Sequence, residues 1–207
     1  MSTDKQTPLK KTALVTGAAR RIGRTIALAL AQGGWDVVVH YSRSEREAQA
    51  TVADIIALGQ RAVALQCDLA DEAAVQTLLS RAAAQLGPVS CVINNASLFD
   101  YDSAADFSGA TLDAHMHTNL VAPVLLAQAL HQATPEGAQA VVVNLLDQKL
   151  FNLNPDFLSY TLSKAALQTA TTMLAQALAP RVRVVGVAPG ITLVSGDQSE
   201  AEFERAH

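Results

Sequence analysis

Near its start the chain reads Thr12-Ala-Leu-Val-Thr-Gly-Ala-Ala-Arg-Arg-Ile-Gly23. Thr12 to Thr16 is a short β-branched and apolar run with the composition of a buried strand. A helical pattern from Arg21 to Gln32 follows almost at once, with only the glycine turn between them. A turn of this kind at the mouth of a helix offers unpaired backbone N–H groups and the positive end of the helix dipole, which together suit a pyrophosphate. The spacing differs from the G-x-G-x-x-G of other dinucleotide sites. Arg20 and Arg21 bring positive charge to the same turn, either toward a phosphate or substrate or simply into solvent.

The pattern repeats outward from there. Strand-like runs are expected at Asp36 to His40, Ala62 to Gln66, Ser90 to Asn94, Ala140 to Leu145 and Val182 to Val187, six in all with the first. Helical patterns lie between them at Ser44 to Leu58, Asp71 to Leu86, Thr111 to Gln132 and Leu158 to Leu178. Strictly alternating strands and helices imply a parallel sheet covered on both faces. Ligands of such sheets bind beyond the carboxyl ends of the strands, so the long connections Ser97 to Ala110 and Asp147 to Phe157, with the segment after Pro189, hold the functional interest.

The chain has 207 residues, half of them hydrophobic, which suits one well-buried domain over 12–207 behind a loose polar tail at 1–11. A net charge of −4 gives no overall basic footprint for nucleic acid. No apolar run reaches the length of a membrane span, and the first residues lack a signal-peptide core. Cys67 and Cys91 stand far apart in apolar runs, as reduced buried thiols do, so a cytoplasmic setting is expected. No spaced Cys/His cluster suggests a metal, and His115 and His117, two apart on a helix, diverge.

The second strand ends at His40 without the acidic residue that accepts the ribose 2′-hydroxyl of NAD. Tyr41-Ser-Arg-Ser44 follows, and Arg43 flanked by Ser42 and Ser44 suits a 2′-phosphate, favouring NADPH. Ser44 is equally suited to cap the next helix. Asp68 and Leu69 follow the third strand, where an adenine edge would lie, although a turn aspartate explains them as well. Asn94-Asn-Ala-Ser97 closes the fourth strand with small polar residues that let a nicotinamide approach the backbone. Phe99 beyond them is either a loop anchor or a stacking partner for a flat ligand. Pro123 lacks the N–H that would bond the carbonyl of Asn119, leaving an acceptor for a water relay or simply a kink.

The chemistry is concentrated in Asp147, Tyr160 and Lys164. On a helix, positions 160 and 164 share a face roughly 6 Å apart along the axis. An ammonium beside a phenol favours phenolate, so Lys164 is expected to lower the Tyr160 pKa and allow proton exchange near neutrality.

The glycine turn at 16–23, Asn94-Asn-Ala96, Asn119, the Tyr160 and Lys164 pair and Val187-Ala-Pro-Gly190, in this order, resemble the short-chain dehydrogenase/reductases over about Thr12 to Thr192. The resemblance implies a Rossmann-type doubly wound α/β sheet in the order 3-2-1-4-5-6, its usual seventh strand not visible in this chain, and a homotetramer. It implies NADPH contacts from Gly17, Arg21, Ile22, Gly23, His40, Tyr41, Ser42, Arg43, Ser44, Asp68, Leu69, Asn95, Ala96, Ser97, Tyr160, Lys164, Pro189 and Gly190. It makes Tyr160 the proton donor or acceptor, Lys164 its tuner and ribose contact, and Asn119 the support of a water relay.

Arg21 stands where that family usually has glycine, and Asp147 where it usually has the catalytic serine, thirteen positions before Tyr160. Both departures, with Ser97 and Phe99, look like the pteridine reductase branch. There the arginine contacts cofactor phosphate and pterin, the serine and phenylalanine frame a stacked pterin, and the aspartate works with the tyrosine. The expected activity is therefore NADPH-dependent reduction of a pterin or dihydropterin. Carbonyl reduction, with Asp147 in place of serine, and a non-catalytic NADP-binding sensor are the alternatives.

Overall fold

The computed structural model describes residues 11–190 and Thr192. The expected tail at 1–11, apart from Lys11, and the expected loss of a family C-terminal segment lie outside the described residues. Six strands, β1 (Thr12–Val15), β2 (Asp36–Tyr41), β3 (Ala62–Gln66), β4 (Cys91–Asn94), β5 (Ala140–Leu145) and β6 (Val182–Val187), form one sheet in the order β3-β2-β1-β4-β5-β6. Every pairing is parallel. The order reverses between β1 and β4, which opens a crevice beyond their carboxyl ends.

Side-chain alternation along the strands divides the core into two layers. Leu14, Val38, Val92 and Val142 face α3 (Glu72–Leu86) and α5 (Ala122–Ala133), where Leu78, Leu126 and Leu130 are wholly buried. Ala13, Val15, Val37 and Val39 face α1 (Arg21–Gln32) and α2 (Glu45–Ala57) through Ala27, Ala48 and Ile55. With both faces covered, β1 and β2 read as nearly unbroken apolar runs. Asp36, at the start of β2, takes a two-pronged grip from Arg61, whose Nη2 also donates to Leu86 O at 2.6 Å, tying the sheet to the end of α3.

Six expected strand and helix ends move by a residue. Thr16, Ser90, Ser44, Leu58 and Asp71 flank the elements they were read into, and Tyr41 joins β2. The larger correction is the expected single helix Thr111 to Gln132. It is α4 (Gly109–Met116), a wide π-helical turn (His117–Val121) and α5. Pro123 has no N–H to return to Asn119, and the ladder widens just before it, with Ala122 N–H bonded to His117 O. The last helix, α6, spans Leu158–Leu178 as expected. None of the described helices is long and apolar enough to cross a membrane.

Candidate active site

The glycine turn after β1 is built from behind. Thr16 Oγ1 accepts the N–H groups of Asn95 and Ala96, each at 3.0 Å, and Asn95 Nδ2 donates to Thr16 O at 2.8 Å, so the ends of β1 and β4 are laced together. His40 lies beneath the turn. Its Nδ1 accepts the Gly17 N–H at 3.1 Å, which leaves the proton on Nε2 to donate to Cys67 O at 3.0 Å. Burial holds the imidazole down to about 4, against the favourable hydrogen bond to Cys67. Gly17 has φ +64, and a Cβ at Gly23 would meet Gly17 O at 2.2 Å. Arg21, in the usual glycine position, also adopts a left-handed conformation, φ 52, a costly one for a side-chain residue.

Above this turn lies a cleft of about 490 Å³ lined by Gly17, Arg20, Arg21, Ile22, Gly23, Tyr41, Ser42, Arg43, Ser44, Asn95, Ala96 and Ser97. Ser44 stands at the N-cap of α2 without a capping hydrogen bond, so its hydroxyl is uncommitted to that role. Three expected contacts lie apart from the cleft wall. The His40 ring is the buried prop just described, Leu69 packs in the core, and Asp68 Oδ1 accepts Ala70 N–H at 3.0 Å as a turn aspartate does.

A second cleft of about 420 Å³ shares Ile22, Asn95 and Ser97 with the first and adds Phe99, Leu145, Leu146, Asp147, Gln148, Tyr160, Lys164, Pro189, Gly190 and Thr192. Tyr160 Oη donates to Asp147 Oδ2 at 2.5 Å, and Lys149 N–H donates to Asp147 Oδ1 at 2.7 Å. Both carboxyl oxygens are thus engaged, one by the phenol and one by the backbone. Lys164 Nζ donates to Leu145 O at 2.8 Å and lies 5.8 Å from the centre of the Tyr160 ring.

The expected lowering of the Tyr160 pKa is corrected by this geometry. Burial first, then the hydrogen bond and negative charge of Asp147, push the phenol upward from its ordinary value. Burial brings Lys164 down to about 8, opposed by the Asp147 charge. At neutral pH the tyrosine therefore holds its proton and the lysine keeps most of its charge.

The acceptor expected for a relay is the main-chain carbonyl of Asn119, and the buried side chain has a separate, structural role. Its Oδ1 accepts from Leu98 N and Ser97 Oγ, at 2.8 and 3.2 Å, while Nδ2 donates to Leu98 O and Ser163 Oγ, at 3.0 and 2.9 Å. Ser163 in turn donates to Tyr160 O at 2.7 Å. The sequence reading missed this link, although the three-residue step from Tyr160 was the available signal. Phe99 remains 48% exposed, and its ring stacks on Phe157, another residue the motifs did not single out.

An open parallel sheet with a glycine turn at its switch point and a Tyr/Lys pair across the crevice defines a nucleotide-dependent oxidoreductase architecture. The short chain dehydrogenase family matches residues 11–205, and the chain belongs to that family. Among solved structures it is similar to the FolM alternative dihydrofolate reductase 1 of Brucella canis complexed with NADP. The two are 45% identical with a TM-score of 0.90, over 94% of this chain and 77% of that one. A short chain dehydrogenase of Burkholderia cenocepacia in complex with NADP is 38% identical with a TM-score of 0.82, over 87% and 74% of the two chains. The 3-oxoacyl-(acyl-carrier-protein) reductase FabG of Staphylococcus aureus is 32% identical over 197 residues, 93% of this chain and 78% of that one.

Proposed function

We propose that this chain is an NADPH-dependent reductase that delivers hydride to a C=N bond of a pterin or dihydropterin, with Tyr160 supplying the proton. The observation that carries this reading is the Tyr160–Asp147 hydrogen bond at 2.5 Å, in the cleft that also holds Phe99. An ionised Asp147 beside a protonated phenol favours a substrate bearing N–H groups, which a carboxylate orders by accepting from them. A carbonyl substrate develops negative charge on oxygen, and the same carboxylate would repel it.

The first cleft suits NADPH. Gly17 and Gly23 let the turn close tightly on itself and against Asn95 and Ala96, in the form that offers its N–H groups to a pyrophosphate, and Arg43 between two serines fits the 2′-phosphate. Lys164, on the wall of the second cleft, and Asn95, shared by both clefts, would hold the nicotinamide ribose; Ser97 lines both clefts and Arg21 the first, from which its side chain would reach phosphate and substrate. When bound, the cofactor supplies the hydride. Removing the guanidinium in Arg43→Ala is expected to raise the NADPH dissociation constant by about 10- to 100-fold, the equivalent of one charge-assisted contact, while barely moving that for NADH. Fluorescence titration with the two nucleotides measures both.

Oxidation of NADPH by the full chain with dihydrobiopterin tests the activity. Turnover that exceeds a panel of ketones is the expected result, and no pterin turnover would sink the reading. Ketone reduction is the second reading, supported by the likeness to FabG. Preference for the ketone panel would establish it instead.

A further inference from the structure

Helix α6 begins without a cap of its own. Phe157, which precedes it, has φ 56 and no side chain able to accept from the first N–H groups. The cap comes from 57 positions away. Asp102, in the connection between β4 and α4, accepts Ser159 N–H on Oδ1 at 2.9 Å and the Ser159 hydroxyl on Oδ2, while its carbonyl takes Leu158 N–H at 3.2 Å. Asp102 is only 5% exposed and Ser159 is fully buried. Among the described residues no cation pairs with Asp102, whose charge instead faces the positive end of a 21-residue helix. Tyr160 follows Ser159 directly.

The same connection carries Phe99, and it is anchored at alternate residues. Asn119 holds both backbone groups of Leu98, His115 Nε2 accepts Asp100 N–H at 3.2 Å, and Asp102 grips α6. Between the anchors the aromatic rings mesh. Phe99 stacks on Phe157 with centroids 4.3 Å apart and meets Tyr160 edge-on at 4.6 Å, and Tyr101 meets Phe157 at 5.1 Å. We propose that Asp102 is a positioning residue that fixes the Phe99 ring and the Tyr160 hydroxyl as one unit, so that substrate orientation depends on it and cofactor binding does not. The proposal rests on the reading of Phe99 and Tyr160 as substrate-facing groups.

The test uses the full chain with saturating NADPH, the substrate that the wild type reduces, and amide hydrogen exchange at 98–102 and 158–161. Asp102→Ala is expected to lower kcat/KM about 30-fold, chiefly in kcat, because small misplacements of reacting groups cost that much. Exchange should rise in both segments together, with the NADPH dissociation constant within about two-fold of wild type. Asp102→Asn keeps an oxygen for Ser159 N–H and an amide donor for the Ser159 oxygen, so it should recover most of the loss. Ser159→Ala removes one hydroxyl and keeps the comparison available should Asp102→Ala fail to fold; it is expected to fall between the two. Unchanged kcat/KM in Asp102→Ala and Ser159→Ala would overturn the proposal, as would exchange rising in one segment alone. A wild type that reduces ketones and not pterins overturns the substrate assignment only, since the exchange and kcat/KM comparisons still judge Asp102.

Discussion

Tyr160→Phe is expected to cut kcat by about 10³-fold, in the middle of what one general acid contributes, while leaving NADPH affinity within about two-fold. The substitution deletes a single oxygen. The ring retains its edge contact with Phe99 and its place over Lys164, so the walls of the cleft stay where they are. What is lost is the proton carried between Asp147 and the substrate. Single-turnover absorbance of bound NADPH separates the effect on chemistry from any effect on binding, and an unchanged rate would remove Tyr160 from the mechanism. The pH profile of the wild type gives a second reading. Lys164 loses its charge as pH rises through about 8, so the rate should decline on that alkaline side. Asp147→Asn keeps an acceptor oxygen but removes the negative charge that helps to raise the phenol, bringing its pKa downward.

Gly23→Ala should abolish measurable NADPH binding and lower the melting temperature by about 5 °C, the consequence of roughly 2 kcal/mol of overpacking in a chain of this size. The new methyl would lie 2.2 Å from Gly17 O and 2.5 Å from Asn95 Nδ2. Neither neighbour can retreat cheaply. Asn95 Nδ2 is bonded to Thr16 O, and Gly17 is itself held by His40. Relief would therefore have to move the turn that receives the pyrophosphate. Gly34→Ala is the matched control, since φ +82 strains alanine there but nothing lies within 4 Å. It should lose about 1 kcal/mol of stability and keep its cofactor. Equal NADPH affinity in the two variants would refute the steric account of the turn.

The fold was legible because parallel strands covered on both faces announce themselves as short β-branched runs, and the helices between them keep a regular period. Boundaries slipped by one residue where a strand end still bonds to its neighbour but lies just outside the paired register, as at Thr16, whose N–H donates to Ile93 O, and Ser90, whose N–H donates to Thr12 O. The continuous helix expected through Asn119 failed because hydrophobic period does not report which N–H is missing. Pro123 was visible in the sequence, but the widening beside it depends on the ladder itself.

Within the site, Tyr160 and Lys164 were legible from a step of four, and Asp147 from its distance to Tyr160. The direction of the Tyr160 pKa was not, because spacing reveals the lysine but not the burial or the short bond to Asp147. His40 was expected as a cofactor contact through the family resemblance. Its inward orientation is set by Gly17 and Cys67, contacts 23 and 27 positions away. Asp102 carried no local signal at all, since its partner is 57 residues distant.

His40 also determines what kind of foundation the nucleotide cleft has. Its Nδ1 accepts the Gly17 N–H only while unprotonated, and burial keeps it so down to about pH 4. An exposed histidine in that position would loosen the turn over the mildly acidic range in which imidazoles ordinarily take up protons. Set beneath the turn instead, the ring insulates the cleft's backbone from ambient acidity, leaving pH to act on the chemistry above it.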